Sequence, residues 1–74
     1  MTGTGERQNL AQLGEEQGWR CNGYERADVY LRGTVRIRVI WQGDEQISGA
    51  SLFHDEMYES YTRDLATVRA WFKR

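Results

Sequence analysis

The sequence predicts an α+β domain of two layers, in which a three-stranded antiparallel sheet carries helices on one face, in the order α-β-β-β-α. The first observation is residues 34–41, TVRIRVIW, whose period-two alternation is typical of a half-buried strand. One side of this strand carries Val35, Ile37, Val39 and Trp41, and the other carries Arg36, Arg38 and Ile40. The second observation is an amphipathic helix pattern near the C-terminus, which would cover the apolar side.

Residues 6–17 predict the first helix, because they are good helix formers and because Leu10 and Leu13 fall on one helical face. Thr4 is a candidate N-cap for this helix. Gly18 is suited to the left-handed conformation in which many helices end.

The chain before the central strand at residues 34–41 is less regular. Residues 20–27 carry turn signals and predict either a loop or an irregular lead-in to a short strand at residues 29–31. Gly33 favours a tight hairpin into the central strand, with one long bent strand through this glycine as the alternative.

A third strand is predicted over residues 46–53, after a polar turn at residues 42–45. Its register stays open, because the small residues in its middle give little pattern and weakly patterned strands slip easily. Two pairs are candidates for the core face, namely Ile47 with Phe53, or Ala50 with Leu52.

An apolar stripe at spacings of three and four residues predicts the C-terminal helix. The stripe consists of Tyr58, Tyr61, Leu65, Val68 and Phe72. The helix is expected to begin either at Asp55, which can cap it, or after Ser60. The predicted core joins this helix to the central strand and consists of Val35, Ile37, Val39, Leu65 and Val68.

Length and composition favour one domain over residues 6–74, preceded by a flexible N-terminus at residues 1–5. A chain of 74 residues lies near the lower limit for a stable core. Its single cysteine excludes an intramolecular disulfide, so a reducing cytoplasm is the expected compartment. Neither a signal peptide nor a run of roughly 20 apolar residues is present, so no membrane association is expected.

The charge balance argues against a general polyanion binder, because the formal net charge is -1 at pH 7. Nine of the ten basic residues are arginine. The planar guanidinium group of arginine suits bidentate binding of carboxylate or phosphate. A GC-rich genome, which favours arginine codons, accounts for the same bias.

The chain offers little for catalysis. Cys21 and His54 are its only thiol and its only imidazole, and neither lies in a nucleophile or metal-binding motif. The glycines form no phosphate-binding or dinucleotide-binding motif. The sequence therefore predicts no catalytic site, no metal and no cofactor, and an enzyme acting through Cys21 or His54 is the weakest hypothesis.

Two resemblances in topology concern nucleic acid. The α-β-β-β-α order is similar to that of double-stranded-RNA-binding domains, but residues 54–64, HDEMYESYTRD, carry four carboxylates where that family carries lysines that bind phosphates. Residues 28–74 resemble, in element order alone, the small N-terminal modules of phage tyrosine recombinases, which lay a sheet into the major groove of DNA. That second resemblance implies DNA binding through the arginine side of the sheet.

The C-terminal half carries a resemblance at the level of sequence. The strand RIRVIW and the segment YTRDLATVRAW lie within residues 29–74. They resemble small uncharacterised accessory proteins of actinobacterial phages and prophages, mycobacteriophages especially. The resemblance implies an intracellular product of a phage accessory gene, and it supplies no activity for any residue.

These observations favour a non-enzymatic protein-interaction module, with DNA binding through the arginine-bearing face of the sheet as the alternative. The candidate binding surface consists of Tyr30, Arg32, Arg36, Arg38 and Ile40. The expected partner is a host or phage protein, or a second copy of the chain, in the cytoplasm of a bacterial host cell.

Overall fold

Two helices and one antiparallel sheet of five strands make up the protein, as a computed structural model shows for residues 5–43 and 45–73. The elements in chain order are α1 (Glu6–Glu16), β1 (Arg20–Gly23), β2 (Ala27–Arg32), β3 (Val35–Gln42), β4 (Gln46–His54), β5 (Met57–Thr62) and α2 (Leu65–Phe72). Each strand pairs with the next one along the chain, in the order β1-β2-β3-β4-β5. The α+β class is confirmed, and the expected sheet of three strands is wrong because a further strand forms at each edge.

The first additional strand, β1, forms in the segment expected to be a loop or an irregular lead-in. It pairs antiparallel with β2, and Cys21 lies opposite Tyr30. All of its residues are exposed, so it adds backbone hydrogen bonds to the sheet rather than side chains to the core.

The second additional strand, β5, occupies the segment expected to start the C-terminal helix. Asp55 and Glu56 both have positive φ, 55° and 69°, and form a two-residue turn between β4 and β5. This conformation produces a hairpin, because two consecutive left-handed residues match the twist of antiparallel strands. It also prevents a right-handed helix from starting at Asp55.

The C-terminal helix is therefore shorter than expected and begins after β5. Asp64 is its N-cap, and the carboxylate accepts a hydrogen bond from the backbone N–H of Ala66 at 3.2 Å. The predicted start at Asp55 is wrong, and the helix begins after Ser60, as the alternative has it, with strand β5 before it. The capping carboxylate at Asp64 decides the true start, since it satisfies a backbone donor that the first helical turn leaves free.

The first helix begins close to its predicted position. Gly5 is its N-cap and makes no side-chain hydrogen bond. The expectations for Thr4 and for flexibility over residues 1–4 lie outside the described residues. Gly18 has φ of 86°, which confirms it as the left-handed residue beyond the helix end.

The register of the sheet settles which residues share the core face. Ile37 lies opposite Leu52 and Val39 lies opposite Ala50, so Ala50 and Leu52 face the helices. A β-bulge at Ser48 then brings Ile47 opposite Trp41, on the same side. The turn at Gly33, with φ of 62°, closes the predicted hairpin between β2 and β3.

The core lies between one face of the sheet and the two helices. Its buried members are Leu10, Trp19, Tyr30, Ile37, Val39, Trp41, Ala50, Leu52, Val68, Trp71 and Phe72. Three of the five predicted core residues, Ile37, Val39 and Val68, are fully buried. The other two, Val35 and Leu65, are partly buried and pack against this cluster.

An ion pair fixes α1 on the sheet. Asp28 points inward from β2 and is only 4% exposed. Arg7 of α1 donates two hydrogen bonds to its carboxylate, at 3.0 and 2.9 Å, and the indole N–H of Trp41 donates a third at 3.0 Å. The buried carboxylate thus has a charged partner and a neutral one, which is the condition under which burial of a charge is tolerated.

Candidate functional site

The side of the sheet opposite the helices is not covered by any described element. We call it the open face. It is formed by residues that alternate with the buried ones, namely Arg20, Asn22, Ala27, Val29, Leu31, Arg36, Arg38, Ile40, Gly49, Ser51, Phe53, Tyr58 and Tyr61. One row of paired residues crosses all five strands and reads Arg20, Leu31, Arg36, Phe53, Tyr58. A second row reads Asn22, Val29, Arg38, Ser51, Tyr61.

Of the five residues expected on a binding surface, Arg36, Arg38 and Ile40 lie on the open face, as their positions in β3 predict. Tyr30 and Arg32 do not, because the residues of β2 that point outward are Val29 and Leu31. Tyr30 is fully buried, with its ring centroid 4.7 Å from that of Phe72. Its predicted place on an exposed surface is wrong.

Arg32 also lies on the helix side of the sheet. Its guanidinium stacks 4.5 Å from the centroid of the Trp19 ring and donates a hydrogen bond to the carbonyl oxygen of Gln17 at 3.0 Å. It donates a longer one, at 3.4 Å, to the carbonyl oxygen of Phe72. Arg32 therefore ties together the C-terminal ends of both helices, where carbonyl oxygens lack helical partners.

Aromatic side chains that sequence reasoning missed complete the open face. Phe53 and Tyr58 meet edge to face, with ring centroids 6.0 Å apart. Tyr58 is 63% exposed and Tyr61 is 54% exposed. The Tyr61 side chain crosses over Gly49, where a Cβ atom would overlap the tyrosine hydroxyl. The aromatic group therefore occupies the β4 and β5 end of the open face.

The two central arginines differ in how firmly they are held. The Arg36 guanidinium lies 4.6 Å from the centroid of the Phe53 ring and 3.4 Å from the carboxylate of Glu56. The Glu56 side chain is 81% exposed, so solvent screens this pair and it contributes less than about 1 kcal/mol. Arg38 makes no hydrogen bond or ion pair with any other described residue.

A groove of about 360 Å³ runs along the open face between β1 and β4. It is lined by Asn22, Tyr24, Val29, Leu31, Arg36, Arg38 and Phe53. Aliphatic side chains form one wall and Phe53 the other, with the two arginines between them. The groove therefore offers an apolar slot beside two positive charges.

Charge is distributed unevenly between the two sides of the sheet. The two cross-strand rows of the open face contain three arginines and no carboxylate. On the helix side, Glu15 and Glu16 lie on α1, and Glu6 of the same helix pairs with Arg69. Among the described acidic residues, Glu56 in the turn between β4 and β5 pairs with an open-face arginine. The protein thus presents a positive face despite a net charge of -1.

A second cleft, of about 340 Å³, lies on the helix side between α2 and the ends of the strands. It is lined by Trp19, Arg32, Val35, Leu52, His54, Glu59 and Trp71. His54 Nδ1 lies 3.9 Å from the Asp55 carboxylate, and both side chains are more than half exposed. Among the described residues that line the cleft there is no hydroxyl or thiol nucleophile beside this imidazole, and Arg32 already binds the helix ends.

Cys21 lies in the exposed edge strand β1, and its surroundings do not activate it. Although Cys21 is exposed at the surface, partial desolvation by the neighbouring groups raises the pKa of its thiol above the ordinary value, and the negative charge of Asp28 raises it further. Since the thiolate is the nucleophile, a raised pKa makes the residue less reactive near neutral pH.

We expect the Cys21 thiol to react with iodoacetamide at pH 7.5 several times more slowly than a free cysteine derivative, with a rate that rises as the pH approaches and passes its raised pKa. Cys21→Ser should leave binding activity unchanged and alter the free energy of unfolding by less than about 1 kcal/mol. Alkylation faster than that of the free thiol would contradict this view and restore Cys21 as a candidate nucleophile.

Within the part of the chain that is described, no three His, Cys, Asp or Glu side chains come together as a metal site requires. Neither described helix has the length and apolar character needed to cross a membrane. No protein-family model matches the chain, and neither the curated proteins nor the solved structures include a significant match. The open face is therefore the feature of the molecule that points to a function.

Proposed function

We propose that the protein is a non-enzymatic protein-interaction module and that the open face is its binding surface. The observation that carries the proposal is the uncovered combination of aliphatic, aromatic and arginine side chains across all five strands. Protein interfaces are enriched in aromatic residues and arginine and depleted in acidic residues and lysine. The open face has this composition, since its two paired rows contain no lysine, aspartate or glutamate.

Phe53 supports the proposal as an ordered anchor on β4, next to the central arginines. Its ring is partly buried between the Arg36 guanidinium and the Tyr58 ring, so its position is set before any partner arrives. An ordered side chain loses little conformational freedom on binding, and such residues contribute most of the binding energy at interfaces.

One observation favours DNA binding as the second candidate function: the two rows that carry the arginines contain no carboxylate. A surface of that kind would not repel phosphate. The aliphatic column formed by the half-buried Val29 and Leu31 favours protein, because most protein–DNA contacts are hydrogen bonds to phosphate and sugar, which aliphatic side chains cannot make. Protein therefore remains the first proposal and DNA the second.

The proposed setting is the cytoplasm of a bacterial host, with a host or phage protein as the partner. This part of the proposal rests on the resemblance of the strand RIRVIW and the segment YTRDLATVRAW to accessory proteins of actinobacterial phages. The other protein partner that fits the proposal is a second copy of this chain. No cofactor and no reaction form part of the proposed function.

The test is a pull-down from bacterial lysate, with and without nuclease, that compares the wild type with Arg36→Ala/Arg38→Ala. The double variant should remain folded, since neither side chain faces the core, and should lose the captured protein because the centre of the open face is removed. Arg26→Ala/Arg63→Ala is the matched control, since it removes the same charge at exposed positions outside the open face. The control should capture the partner as the wild type does.

A gel-shift measurement addresses the second proposal directly. At micromolar protein and physiological salt, we expect no shift of random duplex DNA. Capture that depends on nucleic acid, or a DNA shift that Arg36→Ala/Arg38→Ala abolishes, would place DNA binding first.

A further inference from the structure

We infer that the open face binds an acidic amphipathic segment of its partner protein, in which carboxylates are flanked by apolar side chains. This inference rests on the proposed function and specifies the chemistry of the partner. It follows from the arrangement of charge on β3, from the apolar columns on both sides of β3, and from the distribution of acidic residues over the rest of the protein.

The positive charges form a short ridge at the centre of the surface. Arg36 and Arg38 occupy successive outward positions of β3, and a strand rises about 3.3 Å per residue, so their Cα atoms lie about 6.6 Å apart. Carboxylates two residues apart in an extended segment have the same spacing. Carboxylates four residues apart on a helix lie about 6 Å apart along its axis. Either form of segment can place one acidic side chain on each arginine.

Arg38 is available for such a contact, since it makes no hydrogen bond or ion pair elsewhere in residues 5–43 and 45–73. Arg36 is held by its stacking on the Phe53 ring and by the exposed pair with Glu56 at 3.4 Å. A partner carboxylate that excludes water from this site would compete effectively with that pair, because charge-assisted hydrogen bonds are strengthened when solvent is excluded.

Apolar side chains border the ridge on both sides. Leu31 and Val29 of β2 lie directly opposite Arg36 and Arg38 on one side, and Phe53 lies opposite Arg36 on the other. The groove of about 360 Å³ between these walls can accept an apolar side chain from the partner. A segment that carried only carboxylates would leave these walls exposed to water, so the inferred partner has apolar residues on both sides of its acidic ones.

Long-range electrostatics direct an acidic partner to this surface. Glu15 and Glu16 lie on α1, on the far side of the sheet, and Glu6 of the same helix is paired with Arg69. The arginines of the open face attract a negatively charged segment. The association rate is therefore expected to fall as salt is added, while the apolar contacts limit the loss of affinity.

The test uses a displayed library of random 12-residue peptides, selected on the wild type and counter-selected on Arg36→Ala/Arg38→Ala. We expect the enriched peptides to contain aspartate or glutamate interspersed with aliphatic or aromatic residues. A synthetic enriched peptide should bind the double variant at least tenfold more weakly than the wild type in fluorescence anisotropy. It should bind the Arg26→Ala/Arg63→Ala control with unchanged affinity.

A charge reversal provides the second arm of the test. Selection on Arg38→Glu should shift the enriched peptides toward lysine and arginine, because the position then attracts cations. Circular dichroism and thermal melts check that each variant remains folded. Labelled dT15 is measured in parallel, since a single-stranded oligonucleotide offers negative charge and stacking bases but no carboxylate.

Several outcomes would overturn the inference. These are enrichment of neutral or basic peptides on the wild type, equal binding to the double variant, no enrichment at all, or tight binding of dT15 in place of any peptide. The pull-down with nuclease separates these failures from failure of the proposed function. A captured protein that depends on Arg36 and Arg38, but whose contact segment is not acidic, would retain the proposed function and exclude the acidic segment.

Discussion

Asp28→Ala should lower the free energy of unfolding by about 3 to 5 kcal/mol, which is a large share of the stability of a small domain. The carboxylate is 4% exposed and accepts hydrogen bonds from Arg7 and from the indole N–H of Trp41. Its removal leaves the guanidinium partly buried without its counter-charge and leaves the indole donor without an acceptor. Both groups then pay a desolvation cost that nothing offsets.

Urea melts of four proteins would measure the effect as a double-mutant cycle: the wild type, Asp28→Ala, Arg7→Ala and the double variant. Because the two residues act as one unit, the double variant should be little less stable than either single variant. A loss below about 1 kcal/mol for Asp28→Ala, or strictly additive losses, would show that water replaces the carboxylate and that the pair does not hold α1 on the sheet.

Asp28 also shows why two of the five candidate surface residues were misplaced. In residues 28–32, DVYLR, both faces of the strand carry apolar side chains, so the pattern alone does not decide which face is buried. The charged residues at both ends share a face with Tyr30, which suggests that Val29 and Leu31 face inward. The opposite occurs, because Arg7, 21 residues away, neutralises Asp28 at an inward position. Local sequence cannot reveal a partner on another element, so the side on which Tyr30 lies was not predictable.

The segment at β5 shows a different limit. Tyr58 and Tyr61 are three residues apart and continue the spacing of Leu65 and Val68, so they fit a helix as well as a strand. The deciding feature is the left-handed pair Asp55 and Glu56, and neither residue is the glycine or asparagine that usually marks such a turn. Pairing with β4 overrides the helical pattern.

The central strand β3 was predictable, because its information is local. Its inward residues Ile37 and Val39 are fully buried, and Arg36 and Arg38 point away from the core as the alternation requires. Only the part of the candidate site that lies on β3 could be predicted from the sequence. The flanking residues Phe53 and Tyr58 became part of the surface through register and through the β4–β5 hairpin, neither of which the sequence specifies locally.

Phe72→Ala should lower the free energy of unfolding by about 3 to 5 kcal/mol, because it removes a fully buried ring where both helices meet the sheet. The ring centroid lies 4.7 Å from that of Tyr30 and 5.3 Å from that of Trp19. Gly14 of α1 packs so closely that a Cβ there would lie 3.2 Å from the Phe72 ring.

The cavity left by Phe72→Ala would be difficult to close. The Phe72 carbonyl oxygen accepts a hydrogen bond from the Trp19 indole N–H at 3.0 Å, which holds the backbone of α2 in place. Little collapse of the surrounding residues is therefore expected, and sites that cannot collapse show the larger losses of stability.

Leu65→Ala is the matched control in the same helix. Because Leu65 is only partly buried, its loss should be below about 2 kcal/mol. Urea melts of both variants would decide the matter: if Phe72→Ala were no more destabilising than Leu65→Ala, the ring would not be the contact that joins the two helices to the sheet.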